Sequence, residues 1–154
     1  MTTTIFTAID DQEHSGWATD VAIEIAGATS AMLIFFMANP AVLPGRGPII
    51  YRWSKDYIDT YFNKARVRAR LAGIYDTKCI TKNAVDIAKS ILLESQHADA
   101  DYVVIGSGQR RGLFENWWYS ISRDVVAQAH CPTVVVHSHP RNRTAKTHEI
   151  FAAE

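Results

Sequence analysis

The chain has only two cysteines in 154 residues, Cys79 and Cys131, too few for a disulfide framework. They form no CxxC pair and have no histidine pair at ligand spacing beside them, so they read as small buried thiols of a reducing cytoplasm. An excess of one charge sign is lacking too, since sixteen basic and sixteen acidic residues cancel. No strong global field therefore draws the chain to nucleic acid or an anionic membrane. No apolar run reaches the ~18 residues of a membrane span, and the start MTTTIFTAID has neither a basic region nor a long apolar core. A cytoplasmic protein without membrane insertion is expected. Catalytic signatures are missing as well: there is no G-x-S-x-G elbow, no HExxH helix and no visible pairing of nucleophile with base among six scattered histidines. His137 and His139 form an HxH for which no third ligand can be named. Neither catalytic residues nor a metal site is expected.

What is present is an ordinary globular composition, 47% hydrophobic and 21% charged, at a length that suits one domain. Thr4 to Ile9 is apolar and β-branched and stops at Asp10-Asp11, a first strand. Ser15 can cap a helix that carries Trp17, Val21, Ala22, Ile25 and Ala26 on one face and ends at Gly27. Ala31 to Met37 is a continuous apolar run that suits a central strand. Asn39 to Pro48 holds three of the five prolines and two glycines, which predicts a loop, either a bare connector or a lid over the strand ends. Ser54 to Ala72 is helical in pattern, with Lys64, Arg66, Arg68 and Arg70 forming a solvated basic face or a docking patch for an acidic partner. Thr77 to Thr81 is a weakly signalled strand, and Asp86 opens a helix ending near His97.

The stretch from Asp101 to His137 is the most informative. Tyr102 to Ile105 is a short unalternating apolar run, as in a strand covered on both faces, and Gly106, Gly108 and Gly112 follow at once. In an open α/β sheet, ligands sit at the carboxyl ends of strands, and glycines there let backbone amides approach a phosphate. This is not a dinucleotide fingerprint, because the third glycine falls at 112 instead of 111 and the loop follows the fourth strand. Ser120 to His130 then reads as a helix, Cys131-Pro132 ends it, and Thr133 to Val136 is a last strand. Arg110 and Arg111 in the glycine loop either meet a phosphate or are solvated.

This pattern resembles the universal stress protein family, whose fourth strand runs into a glycine loop G-x2-G-x9-G-[ST], a helix, a Cys-Pro pair and a final strand. The motif positions are Gly106, Gln109, Tyr119 and Ser120, so two of three glycines are replaced. Arg110, Gly112, Leu113, the Ser120-Ile121-Ser122 triplet and Cys131-Pro132 keep the surrounding pattern, and VDIAKSIL from Val85 resembles the family's GDPAEAIL. The opening is similar as well: Ala8 and Asp10 meet its Ala-x-Asp, Ser15 its helix-start serine, while Asp11-Gln12 replaces the usual Gly-Ser.

The resemblance implies a Rossmann-like, adenine nucleotide alpha hydrolase-like α/β domain over residues 1–137: five parallel strands, doubly wound, in the order 3-2-1-4-5, followed by a tail at 138–154. Asp10 and Gly106 would face one another across the crevice between strands one and four. It further implies a non-catalytic stress-response or regulatory domain, paired as a homodimer through Thr133 to Val136, with a regulatory protein as a further partner. If nucleotide binding is retained, the site would comprise Ala8, Asp10, Ile105, Gly106, Gln109, Arg110, Gly112, Ser120 and Ile121. There Ser120, at its helix N-terminus, would offer a hydroxyl and amides to a phosphate. The two lost glycines favour weak or absent binding and no obligatory cofactor. ATP or AMP binding is the alternative, and a role in trans beside a transporter or enzyme a remoter one. Trp117 and Trp118 stand where the family has leucines, in core or dimer packing or as stacking platforms for a base.

Overall fold

The computed structural model describes residues 1–43, 45–107 and 115–137, with the side chains of 115–119 set aside. Its elements are β1 (Thr4–Ala8), α1 (Glu13–Thr29), β2 (Met32–Val42), β3 (Ile50–Tyr51), α2 (Lys55–Leu71), β4 (Thr77–Ala84), α3 (Ile87–His97), β5 (Tyr102–Gly106), α4 (Glu115–Gln128) and β6 (Thr133–Val136). β1 lies between β2 and β5, with Phe6 opposite both Ile34 and Val103; β4 pairs with the far side of β2, and β6 with β5. These five strands are parallel, in the order β4-β2-β1-β5-β6, which is the expected 3-2-1-4-5 in the numbering of the sequence reading. The addition is β3, a short antiparallel partner of the end of β2.

The strands read as unbroken apolar runs because both faces are covered. On β2, Leu33, Phe35 and Met37 point into a core built with Ala18 and Ala22 of α1 and Phe62 and Ala65 of α2. Ile34, Phe36 and Ala38 point into the opposite core, shared with Ile87 and Ile91 of α3 and Ile121 and Val125 of α4. Alternation is thus present in space but invisible in hydrophobicity.

Asn39 to Pro48 is not wholly a loop, because β2 continues through Asn39 and Pro40 to Val42. Proline is tolerated here for a directional reason. The Phe36 carbonyl accepts the Ile9 N–H (2.8 Å) and the Pro40 carbonyl accepts the Arg52 N–H (2.9 Å), whereas the Leu33 N–H donates to Asp76 on the β4 side (3.0 Å). Groups four residues apart on an extended strand point the same way, so the Pro40 nitrogen faces the β1 side, where β1 has already ended at Ala8. The ladder to β4 loses no donor. The buried Asn39 amide then clamps the backbone of Trp53, donating to its carbonyl at 2.8 Å and accepting its N–H at 2.9 Å.

Other boundaries move for similar local reasons. α1 passes through exposed Gly27 and stops at Ser30, whose φ of 51° is left-handed. A glycine on an exposed helix face costs only about 1 kcal/mol, which packing of the buried face offsets. Ser15 lies inside α1 and the N-cap position is Gln12. α4 begins five residues before Ser120, and β4 runs three residues past Thr81. Ser54 and Asp86 cap α2 and α3 as the sequence indicates, accepting from the N–H groups of Tyr57 and Lys89. Arg68 is not merely solvated: its guanidinium bonds the Asp20 carboxylate and the Gly16 carbonyl, bracing α2 on α1. Among the described residues no helix is long and apolar enough to cross a membrane.

Candidate functional site

The chain leaves β1 toward one face of the sheet and β5 toward the other, so their carboxyl ends open a crevice at the topological switch point. Ile9-Asp10 and Gly106-Ser107 occupy those ends. The turn after β1 is tightly bonded. Asp10 is buried, its N–H donates to Ser15 Oγ at 2.8 Å, and its Oδ1 accepts the Gln12 N–H at 2.7 Å. Ser15 thus serves the site by fixing the Asp10 backbone, the role that a residue inside the first turn of α1 can reach. Burial pushes the Asp10 carboxyl up from 3.8 to about 7; the Gln12 hydrogen bond opposes this, Asp11 adds to it, and Arg52 lowers it slightly.

His14 completes this corner and was not among the residues singled out from sequence. Its ring is buried, with Nε2 3.8 Å from Asp10 Oδ2, too far for a hydrogen bond. Burial lowers the His14 pKa and raises that of Asp10, so both shifts disfavour an ion pair between the two groups. The available signal was a four-residue step from Asp10 at a helix start.

Gly106 is required by this corner. A Cβ there would lie 2.5 Å from the His14 carbonyl oxygen and 2.7 Å from its ring Cδ2. The missing side chain admits the first turn of α1 against the end of β5. Ser107 is buried behind it, with its N–H on the Val136 carbonyl (2.8 Å) and its hydroxyl 3.2 Å from that of Ser122, tying the start of the glycine loop to β6 and α4.

A pocket of about 420 Å³, open solvent at its mouth included, occupies the crevice. Ala8, Asp10, Ile105, Gly106 and Ile121, all named from the sequence, line it together. His14 and Ser15 add polar groups on the β1 side, and Ala38, Ile87 and Ile91 complete the apolar part of the wall. Ser120 does not line it. As the sixth residue of α4 it lies past the four N–H groups a helix leaves free, so its amide cannot serve a phosphate. Gln109, Arg110 and Gly112 fall outside the described residues, as does the side chain of Tyr119. At the rim, the Asp11 carboxylate accepts the Tyr57 hydroxyl (3.1 Å) and lies 3.7 Å from Arg52 Nη2. Cys79 and Cys131 are half-buried free thiols whose pKa burial pushes up, and no three His, Cys, Asp or Glu side chains among the described residues cluster as metal ligands.

A doubly wound parallel sheet with a pocket at its switch point defines the class of this protein. The chain belongs to the universal stress protein family, whose model matches residues 1–137. Its structure is similar to that of a universal stress protein in complex with cAMP, at 20% identity over 88% of this chain and 97% of the other, with a TM-score of 0.69. It is similar to UspA from Lactobacillus plantarum at 16% identity (88% and 97% covered, TM-score 0.67). The universal stress protein from Archaeoglobus fulgidus in complex with dAMP gives 20% identity (87% and 97% covered, TM-score 0.62). No curated protein sequence matches the chain.

Proposed function

We propose that this chain is a non-catalytic, dimeric stress-response domain whose pocket takes the nucleoside part of an adenine nucleotide and gains little from its phosphates. The observation that carries this reading is the asymmetry of the crevice. The β1 side offers a preformed turn and a buried carboxyl beside a largely apolar pocket wall. The motif positions that would cradle phosphates carry Gln109 and Tyr119 in place of glycine. Two structurally similar universal stress proteins hold cAMP and dAMP, which makes an adenine nucleoside the first ligand to try. Calorimetry with ATP and AMP tests the reading. Affinity weaker than micromolar is expected, and micromolar binding abolished by Asp10→Ala would replace it with a dedicated nucleotide carrier.

The dimer is assigned to β6. Among the described strands it pairs only with β5, and a short apolar edge left open invites association. Pairing with its two-fold mate would close the assembly. Sedimentation at micromolar concentration should show a dimer that Val135→Pro dissociates; a monomer, or a dimer indifferent to that change, would remove β6 from the interface.

A further inference from the structure

α2 carries a second apolar stripe that the domain's own core does not use. Its buried stripe is Ile58, Phe62, Ala65 and Ala69, packed in the core on one face of the sheet. At about 100° per residue, Val67 and Leu71 fall on the opposite side of the helix, in the centre of the face turned to solvent. They are 53% and 85% exposed, and Tyr75, just past the Gly73 turn that follows the helix, is 76% exposed. After the terminal Met1, Leu71 and Tyr75 are the most exposed large apolar side chains among the described residues, so the two are not ordinary half-covered surface positions. The same segment is charged with one sign. From Lys64 to Tyr75 the sequence has four cations and no acid, the nearest acids along the chain being Asp59 and Asp76. Arg68 is engaged on α1, through Asp20 and the Gly16 carbonyl. Lys64 Nζ lies 4.8 Å from the centre of the Tyr61 ring, which steadies the ammonium without neutralising it. By helical position Lys64 stands on one flank of Val67 and Leu71, and Arg66 and Arg70 on the other. Cations in the last turn suit the helix dipole and call for no partner by themselves. The dipole gives no reason for a valine and a leucine between them. A face kept for solvation alone would be polar at 67 and 71, and valine is a poorer helix former than the residues that usually serve there.

We propose that this face of α2 docks an acidic amphipathic helix of another protein, with Val67, Leu71 and Tyr75 receiving its apolar side chains and Lys64 and Arg70 its carboxylates. The spacing favours a helical partner, because side chains four residues apart form a ridge that fits the groove of a facing helix. A second copy of this chain is disfavoured by charge: bringing Val67 and Leu71 onto their mates brings the flanking cations together as well. An anionic membrane is disfavoured by shape, since α2 buries its other face in the core and can offer a bilayer only a narrow ridge. No α2 residue lines the pocket, so the inference is independent of the nucleoside reading.

The test uses the full chain and a synthetic helical peptide with leucines along one face and glutamates on both flanks, beside a peptide of the same composition scrambled to remove the apolar face. In NMR titrations the amphipathic peptide should shift amide signals of α2 and Tyr75, and the scrambled one should bind far more weakly. Leu71→Ser should weaken binding at least about tenfold, the effect of leaving one leucine unburied in the contact. Arg70→Glu should weaken it too, and added salt should weaken it in the unmodified chain. Both side chains are exposed, so the melting temperature should stay the same in both variants. Absence of binding, shifts confined to other elements, or equal binding by the scrambled peptide overturns the proposal. Self-association of the unmodified chain that Leu71→Ser abolishes would assign the face to a second copy instead. Leu71-dependent binding to phosphatidylglycerol vesicles, with none to the peptide, would assign it to a membrane surface and equally overturn the proposal.

Discussion

The two sides of the crevice are built on different principles. On the β1 side the hydrogen bonds that hold Asp10 are local: Ser15 holds the Asp10 N–H, Asp10 holds the Gln12 N–H, and the first turn of α1 presses on Gly106 closely enough to exclude a Cβ. On the β5–α4 side the described polar anchor is the Ser107–Ser122 pair, behind the pocket and not facing it. Ser120 stands too deep in α4 to lend its amide, and two motif glycines are replaced. On the proposed reading, the nucleoside half of the site keeps its framework and the phosphate half is altered at Gln109 and Tyr119. A glycine of the motif also serves packing, as the approach of His14 to Gly106 shows.

The largest effect expected from disturbing the nucleoside half is on the pH dependence of stability. Asp10 has a folded-state pKa near 7 against 3.8 for the ordinary carboxyl, so between these values the native state binds more protons than the unfolded state and stability falls as pH rises. Over that window the loss approaches roughly 4 kcal/mol if the whole shift is realised, at about 1.36 kcal/mol per pH unit. Asp10→Asn should flatten the slope of unfolding free energy between pH 4 and 7 in denaturant titrations, while an unchanged slope would show that Asp10 is ionised in the fold.

Gly106→Ala comes next. Its Cβ meets the His14 backbone, which cannot rotate away, and overpacking of this kind costs about 1–3 kcal/mol, readable as a lowered melting temperature. The double change Gln109→Gly with Tyr119→Gly acts on the other half, and should cost about 1 kcal/mol of stability, because position 119 lies inside α4, while strengthening ATP binding by at least about 1.4 kcal/mol, or tenfold, in calorimetry. Ser15→Ala is expected to have the smallest effect, about 1 kcal/mol for the lost acceptor of a buried N–H, accompanied by weaker adenosine binding.

Most of this architecture is legible in the sequence, because runs such as Ala31 to Met37 are too short for anything but strands and Ser54 and Asp86 cap as their chemistry dictates. The misreadings share one cause, a local signal overruled by direction or burial. Proline at 40 stops a strand only if its nitrogen is needed by the ladder, and here it points away from β4, to the side where β1 has ended and the short β3 begins to pair. Gly27 stops a helix only if packing does not carry the helix past it. Ala8, Asp10, Ile105, Gly106 and Ile121 assemble into one pocket because the switch-point rule brings β1 and β5 together. His14 escaped notice because a lone histidine on a helix has no period or motif, and its significance arises only from the approach of Gly106 and Asp10 in space.

The comparison between the two halves is tested most directly by the ratio of two affinities, for adenosine and for ATP, measured at pH 8 on the unmodified chain. If the nucleoside half supplies the binding, the two dissociation constants should agree within about tenfold, since the phosphates then contribute less than about 1.4 kcal/mol. ATP binding a hundredfold or more tighter than adenosine would mean that Gln109 and Tyr119 leave a working phosphate cradle, and would contradict the division of the site described above.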